Sequence, residues 1–297
     1  MVRRRYVEEA TSRLAIWARR VALFSLIATI VAVVIVRSGA LDIVPALSTL
    51  AGALVLAMVA ILLALAAGIA IWVEGVGGAR EAATALVIGL ALIGYPLFLG
   101  IKGYHLPAIY DVTTDPIDPP QFDAIARLRP RDANPVAYEG LYAAEQQHTA
   151  YSDIEPDDTD SSPQEAYNAA MKIITKRKWR VVDARPPLAV LPSLVNARTP
   201  QDGAARDGII EAIARTPILG FRDDVIVRVR TTSDGARIDV RSASRYGRHD
   251  FGTNASRVRN LIDDIDTVLA LPEPEKKPPP PAKPAHQPAA KGASAKR

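Results

Sequence analysis

The sequence predicts a membrane-anchored α+β protein, with three transmembrane helices followed by a two-layer domain that has a four-stranded antiparallel sheet and helices on one face. Three uncharged apolar runs fill the first hundred residues, at Val21–Val36, Ile43–Val73 and Ala82–Ile101. Later segments alternate apolar and polar residues like strands, or repeat apolar residues every three to four positions like helices. The differences in pattern along the chain predict a membrane anchor over residues 1–103, an α+β domain over 104–271 and a disordered tail over 272–297.

The apolar runs predict transmembrane helices over about residues 16–36, 46–73 and 82–101, since about 20 apolar residues cross a bilayer core. They contain no Asp, Glu, Lys, Arg or His, which argues against a transporter or pump. Small residues on one face of the second span predict a packing surface within the bundle, with a dimer contact as the alternative. These are Ala53, Ala57, Ala60, Ala64 and Gly68.

The flanking charges predict the orientation. The loop after the second span carries Arg80, and six arginines precede the first span: Arg3, Arg4, Arg5, Arg13, Arg19 and Arg20. Because Lys and Arg favour the cytoplasmic side, we expect a cytoplasmic N-terminus and a C-terminal domain on the opposite side of the membrane. The alternative is a cleaved signal peptide ending at Ser38-Gly39-Ala40, which would leave the domain on the same side.

The charge distribution argues against a nucleic-acid partner. The chain is +4 overall, and residues 1–20 and 272–297 each carry +4, so the residues between them sum to −4. A nucleic-acid-binding protein concentrates basic charge on a folded face. The basic N-terminus instead suits membrane lipid, and the proline-rich basic tail suits an anionic polymer of the envelope. Cysteine is absent, which excludes disulfides and thiolate sites.

The domain begins with an irregular segment, Tyr104–Asp160, in which a short helix is predicted from Pro135 to about Gln147. A second helix begins with a capping box at Ser162 and Glu165. Four strands follow, and a last helix is predicted over Asn254–Leu269. The predicted strands are Trp179–Arg185, Gly208–Thr216, Asp224–Thr232 and Ala236–Arg245.

The alternation in the last two strands predicts one apolar and one charged sheet face. Val225, Val227 and Val229 point one way, and Arg228 and Arg230 the other. The charged face predicts cross-strand ion pairs, with an anionic ligand as the alternative. The acidic run Asp153–Asp160 is interpreted as a solvated lead-in to a helix, because it lacks the EF-hand pattern for calcium. We expect no metal and no cofactor.

Four segments resemble a known family: IYDVTTDPIDPPQF, YSDIEP, GFRDDVIVRVR and VRSASRYGRHDFGTNASRVRNLI. They are similar to the bacterial domain of unknown function 1499, over about Tyr104–Leu269. The resemblance also fits three preceding spans. The chain departs from the family at Ser152 and in an apparent insertion over Pro186–Arg206. The resemblance implies a fold and a location in the bacterial inner membrane, with the N-terminus cytoplasmic and the C-terminal domain periplasmic, but no activity.

Within these motifs, eight polar residues are candidates for ligand binding: Arg222, Asp223, Asp224, Ser242, Ser244, Arg245, Asp250 and Asn254. Structural roles compete with this reading. Asp223 and Asp224 could pair with Arg245, and Asn254 could cap the last helix. The leading hypothesis is a non-catalytic periplasmic binding or scaffolding domain whose partner is a lipid, an envelope protein or an anionic polymer. The alternative is an envelope hydrolase or transferase using Ser244, His249 and Asp250.

Overall fold

A computed structural model describes residues 10–188 and 206–271. The predicted tail, Arg3–Arg5 and most of the predicted insertion lie outside the described residues. Three long helices open the described part: α1 (Arg13–Ser38), α2 (Ile43–Glu74) and α3 (Ala79–His105). All three are long and apolar enough to cross a membrane, as predicted.

Small residues bring the three membrane helices together. Four of the five predicted stripe residues of α2 are buried, but Gly68 is exposed and Ala67 is buried instead. Gly89 of α3 lies so close to α2 that a Cβ there would come within 2.5 Å of Ile61 Cγ1. The hydroxyl of Ser25 donates to the Ala53 carbonyl at 2.9 Å. The stripe therefore packs within the chain, by the close backbone approach that small residues allow in lipid.

The two ends of the helix bundle have different neighbours. At one end, the amide of Ser12 donates to the carbonyl of Gly77 at 2.9 Å, so the N-terminal segment contacts the α2–α3 loop. At the other end, Arg37 Nη1 donates to the carbonyl of Pro217 at 2.6 Å. The C-terminal domain therefore packs on the end of the bundle that is remote from the N-terminus.

The domain contains six strands rather than the predicted four. Strand β1 (Asp111–Thr113) and strand β2 (Asp157–Thr159) both pair with β6. Three-residue strands are too short to give an alternation pattern, so the segment 104–160 looked irregular. Part of the acidic run therefore forms a strand, β2, and the run is not only a solvated segment before a helix. The other elements are α4 (Ala124–Leu128), α5 (Leu141–Ala150), α6 (Pro163–Lys176), β3 (Arg180–Arg185), β4 (Gly208–Arg215), β5 (Arg222–Thr231), β6 (Ala236–Ser244) and α7 (Thr253–Leu269).

The sheet is antiparallel throughout, in the order β1-β6-β5-β4-β3. Helices α6 and α7 cover its apolar face, where Val225, Val227 and Val229 meet Leu261 and Ile265 in one buried cluster. The predicted capping box at the start of α6 is present, with reciprocal hydrogen bonds between Ser162 and Glu165. This layer is the predicted α+β core.

The charged face of the sheet is also covered, which corrects the prediction of helices on one face only. Helix α4 packs there, with Ile125 against Ile213 and Ile226. Cross-strand ion pairs neutralise the charges, as predicted: Arg228 Nε donates to Asp239 at 3.0 Å. Arg228, Arg230 and Arg241 each pair with a carboxylate on a neighbouring strand or in the segment before α4, so these charged residues can be buried on this face.

Candidate functional site

The structure places the eight predicted site residues near the end of the sheet that faces the membrane helices, but it divides them into two clusters. Successive residues of a strand point to opposite faces. Arg222, Asp224 and Arg245 therefore lie on the face covered by α4, and Arg222 stays exposed. The other five lie on the side of the sheet that α6 and α7 cover, namely Asp223, Ser242, Ser244, Asp250 and Asn254.

Asp224 is the centre of the first cluster. Its Oδ1 accepts from Arg245 Nη2 at 2.7 Å, and its Oδ2 accepts from Arg129 Nε at 2.7 Å. The predicted pairing with Arg245 thus holds for Asp224 but not for Asp223. The sequence analysis missed Arg129 because it lies 95 residues away in an irregular segment. This ion cluster is fully buried and joins the segment after α4 to the sheet.

Asp223 belongs to the second cluster, where it pairs with Arg257 of α7. Arg257 Nη1 also donates to the hydroxyl of Ser242 at 2.8 Å, and Ser242 donates to Asn254 Oδ1 at 2.8 Å. The side-chain amide of Asn254 donates from Nδ2 to Ser244 Oγ at 3.0 Å. Arg257 was also missed, although its position three residues after Asn254 places both on one helix face.

The start of α7 is capped by Asp250 rather than by Asn254. The Asp250 carboxylate accepts from the backbone amides of Gly252 at 2.8 Å and Asn254 at 2.7 Å. Asn254 lies inside the helix and directs its side chain to the network, so the predicted cap was wrong. Burial raises the pKa of both Asp223 and Asp250 above the usual range of a carboxyl, and their hydrogen bonds oppose this shift. Both carboxylates already have partners.

Ser244, His249 and Asp250 line one cavity, as the enzyme hypothesis requires. They do not form a hydrogen-bonded triad. His249 Nε2 lies 2.9 Å from the Gly103 carbonyl, and His249 Nδ1 accepts from the Phe251 amide at 2.9 Å. Because both ring nitrogens are engaged by backbone groups, the imidazole is not positioned to take a proton from Ser244.

The cavity has a volume of about 270 Å³ and lies between the domain and the ends of the membrane helices nearest to it. Its lining is mostly apolar. The membrane helices contribute Ile43, Leu47, Tyr95 and Leu99, and the domain contributes Ile218, Leu219, Phe221 and Phe251. Polar groups of the domain form one wall: Arg222, Asp223, Ser244 and Asp250. The cavity therefore has the character of a site for an amphipathic molecule.

Two contacts hold the domain over this cavity. On one side, the Arg37 guanidinium donates to the carbonyls of Pro217 and Ile218 in the β4–β5 loop. On the other, the His249 and Phe251 rings stack at 4.7 Å and lie against Gly103 of α3. A Cβ at position 103 would lie 2.9 Å from Phe251 Cε1, so glycine permits this close approach.

Within residues 10–188 and 206–271, no group of three or more His, Asp or Glu side chains is arranged to hold a metal ion. The buried aspartates are paired with arginines or with helix amides instead.

A family model described as "Protein of unknown function (DUF1499)" matches residues 111–265. The chain belongs to the DUF1499 family. The DUF1499 match runs from β1 into α7, so it includes both polar clusters, with Arg129 and Arg257, and excludes the three membrane helices. No curated protein and no solved structure matches the chain. The function of this DUF1499 protein is therefore argued from its own cavity and charges.

Proposed function

We propose that this protein is anchored in the bacterial inner membrane, and that its periplasmic domain binds a membrane lipid without catalysis. The observation that carries the proposal is the apolar cavity shared by the membrane helices and the domain. Its volume of about 270 Å³ is close to the lower end of the range, about 300–1,000 Å³, that small-molecule sites span.

A lipid is the favoured occupant because the membrane helices contribute an apolar wall to the cavity. Leu99 and Tyr95 precede the end of α3 at His105 by six and ten residues, which corresponds to about 9 and 15 Å along the helix. Both lie within the uncharged run that ends at Ile101. An acyl chain can therefore reach this wall from the bilayer, while its headgroup meets the polar wall of the domain.

The periplasmic side is supported by the arginines before and in the first turns of α1, under the rule that Lys and Arg favour the cytoplasm. The described part of this cluster contains Arg13, Arg19 and Arg20, and the domain packs at the opposite end of the bundle. Three crossings from a cytoplasmic N-terminus support a domain outside the cytoplasm. The hydrolase or transferase alternative is supported by the shared cavity of Ser244, His249 and Asp250 but lacks a proton acceptor for Ser244.

The test is to fill the cavity and measure the retained lipid. Leu99→Trp adds an indole to the cavity wall, and we expect the purified full-length protein to retain less lipid, measured by native mass spectrometry and lipid extraction. Leu97→Trp is the matched control, because Leu97 lies on the same helix, is 59% exposed and points away from the cavity. Equal lipid retention by both variants would contradict the proposal.

A further inference from the structure

One group of arginines at the membrane-facing end of the sheet has no carboxylate partner. Arg215 of β4 lies directly opposite Arg222 of β5, and Arg180 of β3 lies opposite Ile213, two residues from Arg215. Directly opposite and alternate residues share a sheet face, so the three guanidiniums lie on one face. Among residues 10–188 and 206–271, no carboxylate lies within 4.0 Å of any of the three.

A second opposed arginine pair in the same sheet provides the comparison. Arg230 lies directly opposite Arg237, and both contact the Asp115 carboxylate, at 3.1 and 3.6 Å. Asp239 also pairs with both. Like charges directly opposite each other destabilise a sheet, and here carboxylates neutralise them. The pair Arg215 and Arg222 has the same repulsion without this compensation.

These arginines line a polar cavity of about 220 Å³, to which Lys178 adds a fourth cation. Arg177 also lines it but is already paired with Asp264 at 2.6 Å. Burial and the neighbouring charges of Arg215, Arg245 and Arg180 lower the pKa of Arg222. An anion in this cavity would relieve the repulsion among the cations.

We propose that Arg180, Arg215 and Arg222 bind a phosphate group, and that a phospholipid headgroup supplies it. Guanidiniums bind phosphate oxygens through paired N–H donors, which suits a cluster of arginines better than a single lysine would. Arg222 lines both the basic cavity and the apolar cavity. One molecule can therefore place its acyl chain against Leu99 and its phosphate at Arg222. This inference deepens the lipid-binding proposal and rests on it for the source of the phosphate.

The test measures binding of three probes to the full-length protein in detergent. The probes are dioctanoyl phosphatidylglycerol, dioctanoylglycerol, which has the same chains without phosphate, and inorganic phosphate. Since a charge-assisted hydrogen bond contributes about 1.5–3 kcal/mol, we expect the phospholipid to bind at least about tenfold more tightly than dioctanoylglycerol. Arg215→Gln should reduce this difference and leave dioctanoylglycerol binding unchanged, since Arg215 lines only the basic one of these two cavities. The double variant Arg215→Gln with Arg222→Gln should remove the difference.

Control variants separate altered folding from altered binding. Arg127→Gln removes another exposed arginine, on α4, and should leave all three affinities unchanged. Arg180→Gln tests the same site from a different strand and should also weaken phospholipid binding, so the proposal stays testable if the double variant is unstable. Leu99→Trp should weaken the binding of both lipids and leave the binding of inorganic phosphate unchanged.

The remaining outcomes distinguish the two proposals. If only inorganic phosphate binds, and binding requires Arg215 and Arg222, the anion site stands and lipid binding is wrong. If both lipids bind equally and the arginine variants change nothing, the phosphate site is wrong while lipid binding stands. If no probe binds, both proposals are overturned.

Discussion

At the scale of single residues, the domain depends on buried charges that have found partners across long stretches of sequence. The Arg241 guanidinium, fully buried, is paired with the Asp111 carboxylate at 2.7 Å, and Asp224 is held by Arg129 and Arg245. Breaking a buried ion pair is costly because it leaves an uncompensated charge. The sequence predicted the Asp224–Arg245 pair from adjacent strands. It could not predict Arg129 or Asp111, because irregular segments give no register to place them.

Removing the Asp224 charge should therefore destabilise the protein strongly. Asp224→Asn leaves two buried guanidiniums without a carboxylate, and we expect the free energy of unfolding to fall by about 3–5 kcal/mol. Asp123→Asn is the control, because Asp123 pairs with Arg127 on the exposed surface and should cost less than about 1 kcal/mol. Denaturant unfolding measures both, and similar small losses would show that Asp224 is not needed as an anion.

A pair of carboxyl groups should make stability depend on pH. Burial, followed by the hydrogen bond and charge of Asp266, raises the pKa of Asp157 from 3.8 to about 6. The folded state then holds this proton more tightly than the unfolded chain. The unfolding free energy should fall as pH rises from about 4 to about 6, and the loss should then level off.

Asp157→Asn removes that dependence while keeping a hydrogen-bond donor for Asp266. We expect the variant to be more stable than the parent by about 1–2 kcal/mol at pH 7, after allowing for partial exposure, and to lose this advantage below about pH 4. The neighbouring exposed Asp158→Asn should change little. A parent and variant with parallel pH profiles would show that Asp157 is not protonated in the folded protein.

At the scale of elements, long periodic patterns were predictable and short ones were not. Helix α7 and strands β5 and β6 have enough repeats to reveal their apolar faces, and each was found within two residues of its predicted bounds. Strands β1 and β2 have three residues each and are stabilised by pairing with β6 rather than by their own pattern. The charged sheet face was predicted correctly as ion-paired, but its cover by α4 depends on a five-residue helix.

The apolar face of α7 can be tested by truncating one core residue. Leu261 is fully buried, so Leu261→Ala should lower the unfolding free energy by about 2–5 kcal/mol. Asp263 lies on the exposed side of the same helix, and Asp263→Ala should change it by less than about 0.5 kcal/mol. Thermal or denaturant unfolding distinguishes them, and equal small effects would mean that α7 does not form the core as described.

At the scale of the whole molecule, the cavity arises where two separately predicted parts meet. Its walls come from α2 and α3 on one side and from the strand ends of the domain on the other. The domain residues follow the helix residues by more than 100 positions in the sequence. A local sequence pattern cannot predict such a site, because its residues come together only in the folded protein. The sequence did predict three helices long and apolar enough to cross a membrane, because apolar length is a local signal. The side on which the domain lies stays a prediction from the placement of the arginines.

The orientation can be tested with reporter fusions. An alkaline phosphatase fused after Leu271 should be active, since the enzyme functions only outside the cytoplasm, and one inserted in the Gly75–Gly78 loop should be inactive. A fluorescent protein that matures in the cytoplasm should give the opposite pattern at both sites. Activity at the loop and silence after Leu271 would reverse the orientation and exclude a periplasmic domain.

The central claim, that a lipid occupies the cavity between membrane helices and domain, is tested most directly by photo-crosslinking in native membranes. Two photoreactive phospholipids would be incorporated into the membranes. The chain probe carries its reactive group near the end of one acyl chain, and the headgroup probe carries it beside the phosphate. We expect the chain probe to label Leu47 and Leu99, and the headgroup probe to label the segment Thr216–Asp223. Labelling confined to lipid-facing helix residues such as Leu97 and Phe98, with none in the domain, would contradict it.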